Sequence, residues 1–252
     1  MSTLDFITKV YYKILSLFVG KQKIIQIKKR SRMLKKAKII QMFGEEAIIK
    51  FAEVVHTEEV CYWLFWGTLL GSYREKGFIK HDTDIDIGMF DTDITISLID
   101  KMIDSGFIVL NVIVDKDFLG GYHIAFDYKG VKFDIYSFHK KDDDVIAFNP
   151  VPYNYTKFGQ SRRKDIMDIV HVTMPCWSSL IKVPFEHTTC LIPSNASDLL
   201  RILYGDDFMT PIIGKKPDDK ENPMIVHENP NIHYACVMNY ETFKMIKRTG
   251  LL

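Results

Sequence analysis

Asp82, Asp84 and Asp86 stand on alternate positions in "KHDTDIDIGMF" (80–90), with Thr83 and Ile85 between them and Ile87 after. On an extended strand alternate side chains share one face. Three carboxylates then meet on that face, and Ile85 and Ile87 point the other way. Like charges so placed repel one another unless a cation sits among them. Two carboxylates at i and i+2 can grip a hard divalent ion, and Mg²⁺ favours one or two protein carboxylates completed by phosphate oxygens of a substrate. Such an ion neutralises charge on a phosphoryl group in transfer. An Asp-x-Asp pair on a polar loop is usually only solvated. The isoleucines here argue instead for a half-buried strand, where uncompensated charge is costly. Asp91 and Asp93 suit a helix start, and Asp142 to Asp144 suit a solvated turn.

Upstream lies "WGTLLGSYR" (66–74). Gly67 and Gly71 read as tight turns that let backbone N–H groups approach a phosphate. Leu70-Gly71-Ser72, then eleven residues, then Asp84-Ile85-Asp86-Ile87 resembles the signature of the nucleotidyltransferase superfamily. That resemblance implies a metal-binding pair and a third carboxylate on a neighbouring strand. Asp134 in "VKFDIYSF" is the candidate, with Phe133 and Ile135 directed to the opposite face.

A longer ordered set is similar to the LicD phosphotransferase family. It comprises Gly67 to Gly71, Arg74, Gly77-Phe78-Ile79, Asp84-Ile85-Asp86, "FDIYSF" and "LLRILYGDDFMTP" (199–211), and it spans about 45–211. Where the family often has Pro-Trp-Asp-Asp-Asp, this chain has Lys80-His81-Asp82-Thr83-Asp84, so one carboxylate is lost and the metal pair kept. The resemblance implies transfer of a phospho-alcohol, such as phosphocholine or phosphoethanolamine, from a CDP-alcohol donor. The acceptor is a sugar hydroxyl of a cell-surface glycan or its lipid-linked precursor, and the cofactor is Mg²⁺ or Mn²⁺. On this reading Asp84 and Asp86 hold the metal, and Asp134 completes its shell or takes the acceptor proton. Gly67, Thr68, Gly71 and Ser72 hold the donor phosphates, and Arg74 pairs with a phosphate oxygen. Asp82 is an electrostatic neighbour, and Lys80 and His81 shift phosphate contacts. His123 either faces the site or is a satisfied core histidine. Tyr153, Tyr155 and Phe158, in an irregular loop, are the better sugar or choline platform, because Trp63 and Trp66 suit core packing. Arg162, Arg163 and Lys164 either steer a diphosphate or are a solvated run. Tyr204 and Asp206 shape the rim by analogy. Two alternatives stand beside this: a nucleotidyltransferase acting on a small molecule, protein or RNA, and an inert, membrane-associated glycan-binding protein.

Elements must position these groups, and a coarse pass predicts an α/β (α+β) fold, a mixed sheet flanked by helices. Residues 44–59 read as a helix with Ile48, Phe51, Ala52 and Val55 on one face. "CYWLFW" reads as a buried strand ended by Gly67, Thr68 as the cap of a short helix through Tyr73, Asp84 to Met89 as the next strand, and Thr92 to Gly106 as a helix closed by glycine. Strands at 107–114, 122–128 and 131–138 follow, the last two joined through Lys129-Gly130. Beyond residue 150 the chain reads as irregular, with Pro175, Pro184 and Pro193 as interruptions and a helix from about Asn195 to Tyr204. The expected organisation is a basic arm over 1–43, a catalytic domain over 44–212 and an extension over 213–252 packed on it.

The 252 residues, 47% apolar, suffice for a sizeable core. A net charge of +1 hides an asymmetry: residues 1–43 carry eleven Lys/Arg against Asp5 alone. Phe6, Ile7, Val10, Tyr11, Ile14, Leu17 and Phe18 recur there at helical spacing. Two readings follow, a helix on an anionic membrane surface or one packed on the domain. Nucleic acid is not an expected partner. The apolar run 14–19 is too short to span a bilayer. Cys61, Cys176, Cys190 and Cys236 form no metal-spaced cluster and read as reduced thiols. A cytoplasmic location follows from these readings, peripheral on the membrane face if the arm binds lipid.

Overall fold

A computed structural model describes residues 21–115, 121–151, 166–211, 225–227 and 234–250. Among them is one large mixed sheet flanked by five helices, an architecture compatible with a nucleotidyltransferase-like fold. The helix expected from residue 44 is much longer: α1 runs Lys21–Glu58 without a break at 43/44. Ala37, Ile40, Ala47, Ile48, Phe51, Val54 and Val55 recur at three- and four-residue steps and are buried. That stripe docks the helix on the sheet.

Two short elements follow, β1 (Trp63–Leu64) and α2 (Trp66–Arg74). The short helix expected through Tyr73 is present, but it starts at Trp66 with Phe65 rather than Thr68 at its cap, so Gly67 and Gly71 sit inside it and not in turns. Then come β2 (Ile85–Phe90), α3 (Ile96–Asp104) and β3 (Ile108–Asp115). Thr95 caps α3, its hydroxyl accepting from Leu98 N at 3.0 Å, so the helix starts four residues later than the sequence suggests. Next are β4 (Tyr122–Tyr128) and β5 (Val131–Lys141), joined as expected through Lys129 and Gly130. Both hairpin residues have positive φ, at 51° and 88°.

The region after residue 150 holds more regular structure than its prolines suggest. β6 (Asp144–Val151), β7 (Ile166–Pro175), β8 (Leu180–Phe185) and β9 (Thr188–Pro193) precede α4 (Ala196–Tyr204). Pro175 ends β7, Pro193 ends β9, and Pro184 lies in the two-stranded β8–β9 sheet, which has only edges; these are the places a strand tolerates proline. β10 (Ile225–His227), β11 (Ala235–Met238) and α5 (Tyr240–Arg248) complete the described chain.

The main sheet has the order β1-β2-β5-β4-β3-β11-β7-β10, and β6 bridges β5 and β7. The ladders linking β5, β4, β3, β11, β7 and β6 therefore return to their starting strand. Only β2 and β5 are parallel; every other described ladder is antiparallel. Ile85, Ile87 and Met89 of β2, and Val131, Phe133 and Ile135 of β5, are fully buried. Phe51 of α1 packs on Phe133 with ring centroids 5.0 Å apart. By strand alternation, Asp86, Asp134 and Tyr136 project from the other side of the same two strands.

Candidate active site

β2 and β5 place the acids. In their parallel register Asp86 lies directly beside Asp134, and Gly88 beside Tyr136. Asp84 stands one residue before β2 and is half-buried, whereas Asp86 and Asp134 are buried. Two ties fix the Asp86 backbone: its N–H donates to Thr68 Oγ1 at 2.9 Å, and its carbonyl accepts from Phe65 N at 3.0 Å. Thr68 thus anchors the metal-type strand to α2 through its hydroxyl. Gly67 has a related use, since a Cβ there would meet Asp82 Oδ1 at 3.1 Å. A bare backbone at 67 lets the Asp82 carboxylate lie against the start of α2.

The loop between α2 and β2 is held from below. Phe78 N donates to Glu186 Oε1 at 2.8 Å, and the Phe78 ring meets Phe185 edge-on, with centroids 4.8 Å apart. Asp82 N closes a turn onto Ile79 O at 2.8 Å. The β8–β9 hairpin, in turn, contacts α1 through His187 Nδ1 and Glu45 Oε2 at 3.0 Å.

The electrostatics are those of crowded carboxylates. Burial, then Asp84 and Glu75, push Asp82 up to about 7. Burial raises Asp84 as well, with Asp134 adding to it and Lys132 and Lys36 opposing. Asp86 is held well above the ordinary carboxylate range by burial, then by Asp84, Asp134 and Asp82. Asp134 goes the other way. Burial opposes its charge, but His123 and Lys132 outweigh burial and hold it below the usual range. Lys132 Nζ pairs with Asp134 Oδ2 and lies 3.8 Å from Asp84 Oδ2. His123 Nε2 lies 3.3 Å from Asp134 Oδ1, close enough for attraction but outside hydrogen-bond alignment. Burial and then nearby acids push the Tyr136 and Tyr204 phenols up, and the Tyr136 ring lies against His123 with centroids 4.7 Å apart.

Asp84, Asp86, Asp134, Asp82, His123 and Tyr204 are thus brought together. Ser72 and Arg74 are engaged elsewhere. The Ser72 hydroxyl donates to Leu69 O at 2.7 Å within α2. The Arg74 guanidinium donates to the carbonyls of Phe208 and Thr210 and ties down the segment after α4. Gly71 is a packing glycine, for a Cβ there would come within 2.4 Å of Gly77 O. His81 is exposed on the loop before Asp84, and Asp206 is exposed after α4. Trp63 is core, meeting Phe90, Phe138 and Trp177 edge-on. Tyr153, Tyr155, Phe158, Arg162, Arg163 and Lys164 lie outside the described residues.

Lys132 and Tyr136 were not singled out from the sequence. The signal was there: Lys132-x-Asp134-x-Tyr136 obeys the same alternation as Asp84-x-Asp86. The donor set also suits a hard divalent ion. Asp82 Oδ2 and Asp134 Oδ1 are buried without a hydrogen-bond donor, and carboxylates crowded beyond their ordinary range are relieved by a cation. Among the described residues no group of three or more Asp, Glu, His or Cys side chains is placed, as it stands, to hold a metal ion. Such a site would be completed by oxygens from a substrate.

A family model described as "LicD/FKTN/FKRP, nucleotidyltransferase domain" matches residues 59–195, from the approach to β1 through the end of β9. The chain belongs to the LicD family. Two relatives carry the comparison further. Over 53 residues, 20% of this chain, it is 51% identical to "Uncharacterized protein T07A5.1" of Caenorhabditis elegans. Over 194 residues, 77% of this chain, it is 24% identical to "Ribitol-5-phosphate transferase FKTN" of Mus musculus. The matches take in 14% and 38% of those proteins, so this LicD-family chain aligns with well under half of either relative.

Proposed function

We propose that the protein is a metal-dependent phosphotransferase. It moves a phospho-alcohol from a CDP-activated donor to a sugar hydroxyl of a cell-surface glycan or its lipid-linked precursor. The observation that carries this reading is the Asp86–Asp134 register pair on parallel strands, with Asp84 at its head. Family membership and the mouse relative's name, a ribitol-5-phosphate transferase, support a phospho-alcohol as the group moved. Phosphocholine, phosphoethanolamine and ribitol phosphate are all chemically compatible with it.

Asp84, Asp86 and Asp134 would hold Mg²⁺ or Mn²⁺. When bound, the ion supplies charge neutralisation for the transferring phosphoryl group. The chain's own residues do the rest. Phosphoryl transfer depends on position and electrostatics more than on covalent help. Asp134, kept ionised by Lys132 and His123, serves better as a fixed negative charge than as a proton acceptor, because an efficient base has a pKa near the working pH. Lys132, between Asp84 and Asp134, is placed to offer its ammonium to a phosphoryl oxygen. Tyr136 and Tyr204 present neutral phenols that can donate to substrate oxygens. An anionic membrane surface met by residues 1–43 would bring a lipid-linked acceptor to the site.

The test is release of CMP from CDP-choline, CDP-ethanolamine, CDP-ribitol and CDP-glycerol with Mn²⁺ present. Asp84→Asn combined with Asp86→Asn is expected to abolish release of whichever donor is used. Undiminished release by that variant would overturn the assignment.

A further inference from the structure

The strongest unassigned feature is an open cleft of about 480 Å³ between α1 and the loop that carries the acids. One wall is the polar face of α1: Lys28, Lys29, Arg32 and Lys36. Steps of three and four residues stack these on one side of the helix, over about 12 Å at 1.5 Å per residue. The far wall is Thr83, whose hydroxyl reaches Asp84 Oδ1 at 3.4 Å. The cleft therefore opens beside the first metal-type carboxylate.

Three of these four cations are available for a ligand. Lys29, Arg32 and Lys36 are exposed, and among the described residues none of the three has an ion-pair partner. Lys36 acts on Asp84 from a distance and partly offsets its burial. Like-charged side chains stacked on one helix face repel by a few tenths of a kcal/mol per pair, so an anion there relieves a cost as well as making contacts. The residues proposed from sequence for phosphate binding do not compete, since Ser72 and Arg74 are engaged on backbone carbonyls.

The cleft also has an apolar side. Ile25 and Met33 line it and are 65% and 43% exposed. Among the described residues its lining apart from Thr83 is aliphatic and cationic, with no aromatic ring. Cations flanked by aliphatic side chains suit a phosphorylated amphiphile better than a nucleotide.

We propose that this cleft binds the diphosphate of an amphiphilic, lipid-linked substrate and seats its head group beside Asp84. Lys29, Arg32 and Lys36 take the phosphate oxygens, and Ile25 and Met33 cover the first carbons of the apolar chain. This rests on the phosphotransferase reading for what happens next, but the binding itself does not.

The test is calorimetric binding to the full chain in EDTA, using geranyl diphosphate and CDP as separate probes. The combined variant Lys29→Gln, Arg32→Gln, Lys36→Gln should lose geranyl diphosphate affinity at least tenfold and keep CDP affinity within about twofold. All three side chains are exposed, and a circular dichroism melt matching the parent confirms the fold. Arg32→Gln alone should show a smaller loss in the same direction. Asp84→Asn with Asp86→Asn should keep geranyl diphosphate binding whether or not CMP release is seen, so failure of the transferase reading is scored separately. No measurable binding by the parent chain, or equal binding by parent and triple variant, overturns the proposal. Loss of CDP instead of geranyl diphosphate overturns the acceptor assignment and gives the cleft to the donor.

Discussion

At the scale of residues, the cluster is built against its own stability. Asp82, Asp84 and Asp86 all ionise less readily in the fold than in an open chain, first because they are buried and then because other carboxylates, Asp134 and Glu75 among them, lie near. The sign for stability follows. A raised folded pKa means that the folded state keeps protons the unfolded chain releases, so stability falls as pH rises. For Asp82 the fall begins at the ordinary carboxylate range and is complete above its folded value of about 7. Removing a charge should therefore strengthen the metal-free protein while it removes function, a trade-off known at many active sites. Asp86→Asn is expected to raise the Tm of the metal-free protein at pH 8 by a few degrees, since about 1 kcal/mol moves a domain of this size by roughly 2–4 °C. Differential scanning fluorimetry in EDTA reads this directly. A lower Tm for Asp86→Asn would mean that the carboxylate is stabilised by contacts stronger than its repulsions. Asp134 is the counter-case, held ionised by Lys132 and His123, so its neutralisation should weaken the fold.

At the scale of elements, α2 is the piece on which the site depends. It ties β2 through Thr68, leaves room for Asp82 at Gly67, and presses against the 77–79 backbone at Gly71. The last contact is close enough to test. A methyl at 71 would lie 2.4 Å from Gly77 O, a backbone atom that cannot swing aside. Overpacking of this kind costs about 1–3 kcal/mol, so Gly71→Ala should lower the urea midpoint with little change in m-value. An unchanged midpoint would show that the 77–79 loop gives way freely. Much of this architecture is legible from sequence, and the limits have physical reasons. β2, β4, β5 and the Lys129-Gly130 turn follow from alternation and turn chemistry, which are local. The acids on β2 and β5 follow from the same rule. The short helix α2 is legible as well, but its glycines read as phosphate-approach turns, because a glycine in a helix and one in a turn look alike until the backbone packed against it is known. Pro175, Pro184 and Pro193 hid β7, β8 and β9, because whether proline ends or edges a strand depends on non-local partners. The pairing of β11 between β3 and β7, with Ala235 beside both Asp115 and Met167, joins segments far apart in the chain and has no local signal.

At the scale of the whole molecule, charge and continuity of α1 belong to one question. Eleven Lys/Arg lie within residues 1–43, against a remainder that carries more acid than base. The arm was expected to act as a unit separable at residue 43, but α1 runs through that point and buries Ile24, Ala37 and Ile40. A deletion of 1–43 would strip core side chains and confound any binding assay. No described helix is long and apolar enough to cross a membrane. Removing residues 1–20 separates the two contributions. It deletes Lys9, Lys13 and the stripe from Phe6 to Phe18 while leaving α1 whole. Lysines near an anionic surface contribute about 1 kcal/mol each, and buried apolar side chains add to that. Loss of 1–20 should therefore cut co-sedimentation with phosphatidylserine vesicles at least tenfold at 0.1 M salt. The triple glutamine variant of the α1 cleft should cut it far less, because its cations face the acidic loop. Equal co-sedimentation by the truncated and full chains would remove the membrane surface from the functional reading, and the acceptor would then have to reach Asp84 from solution.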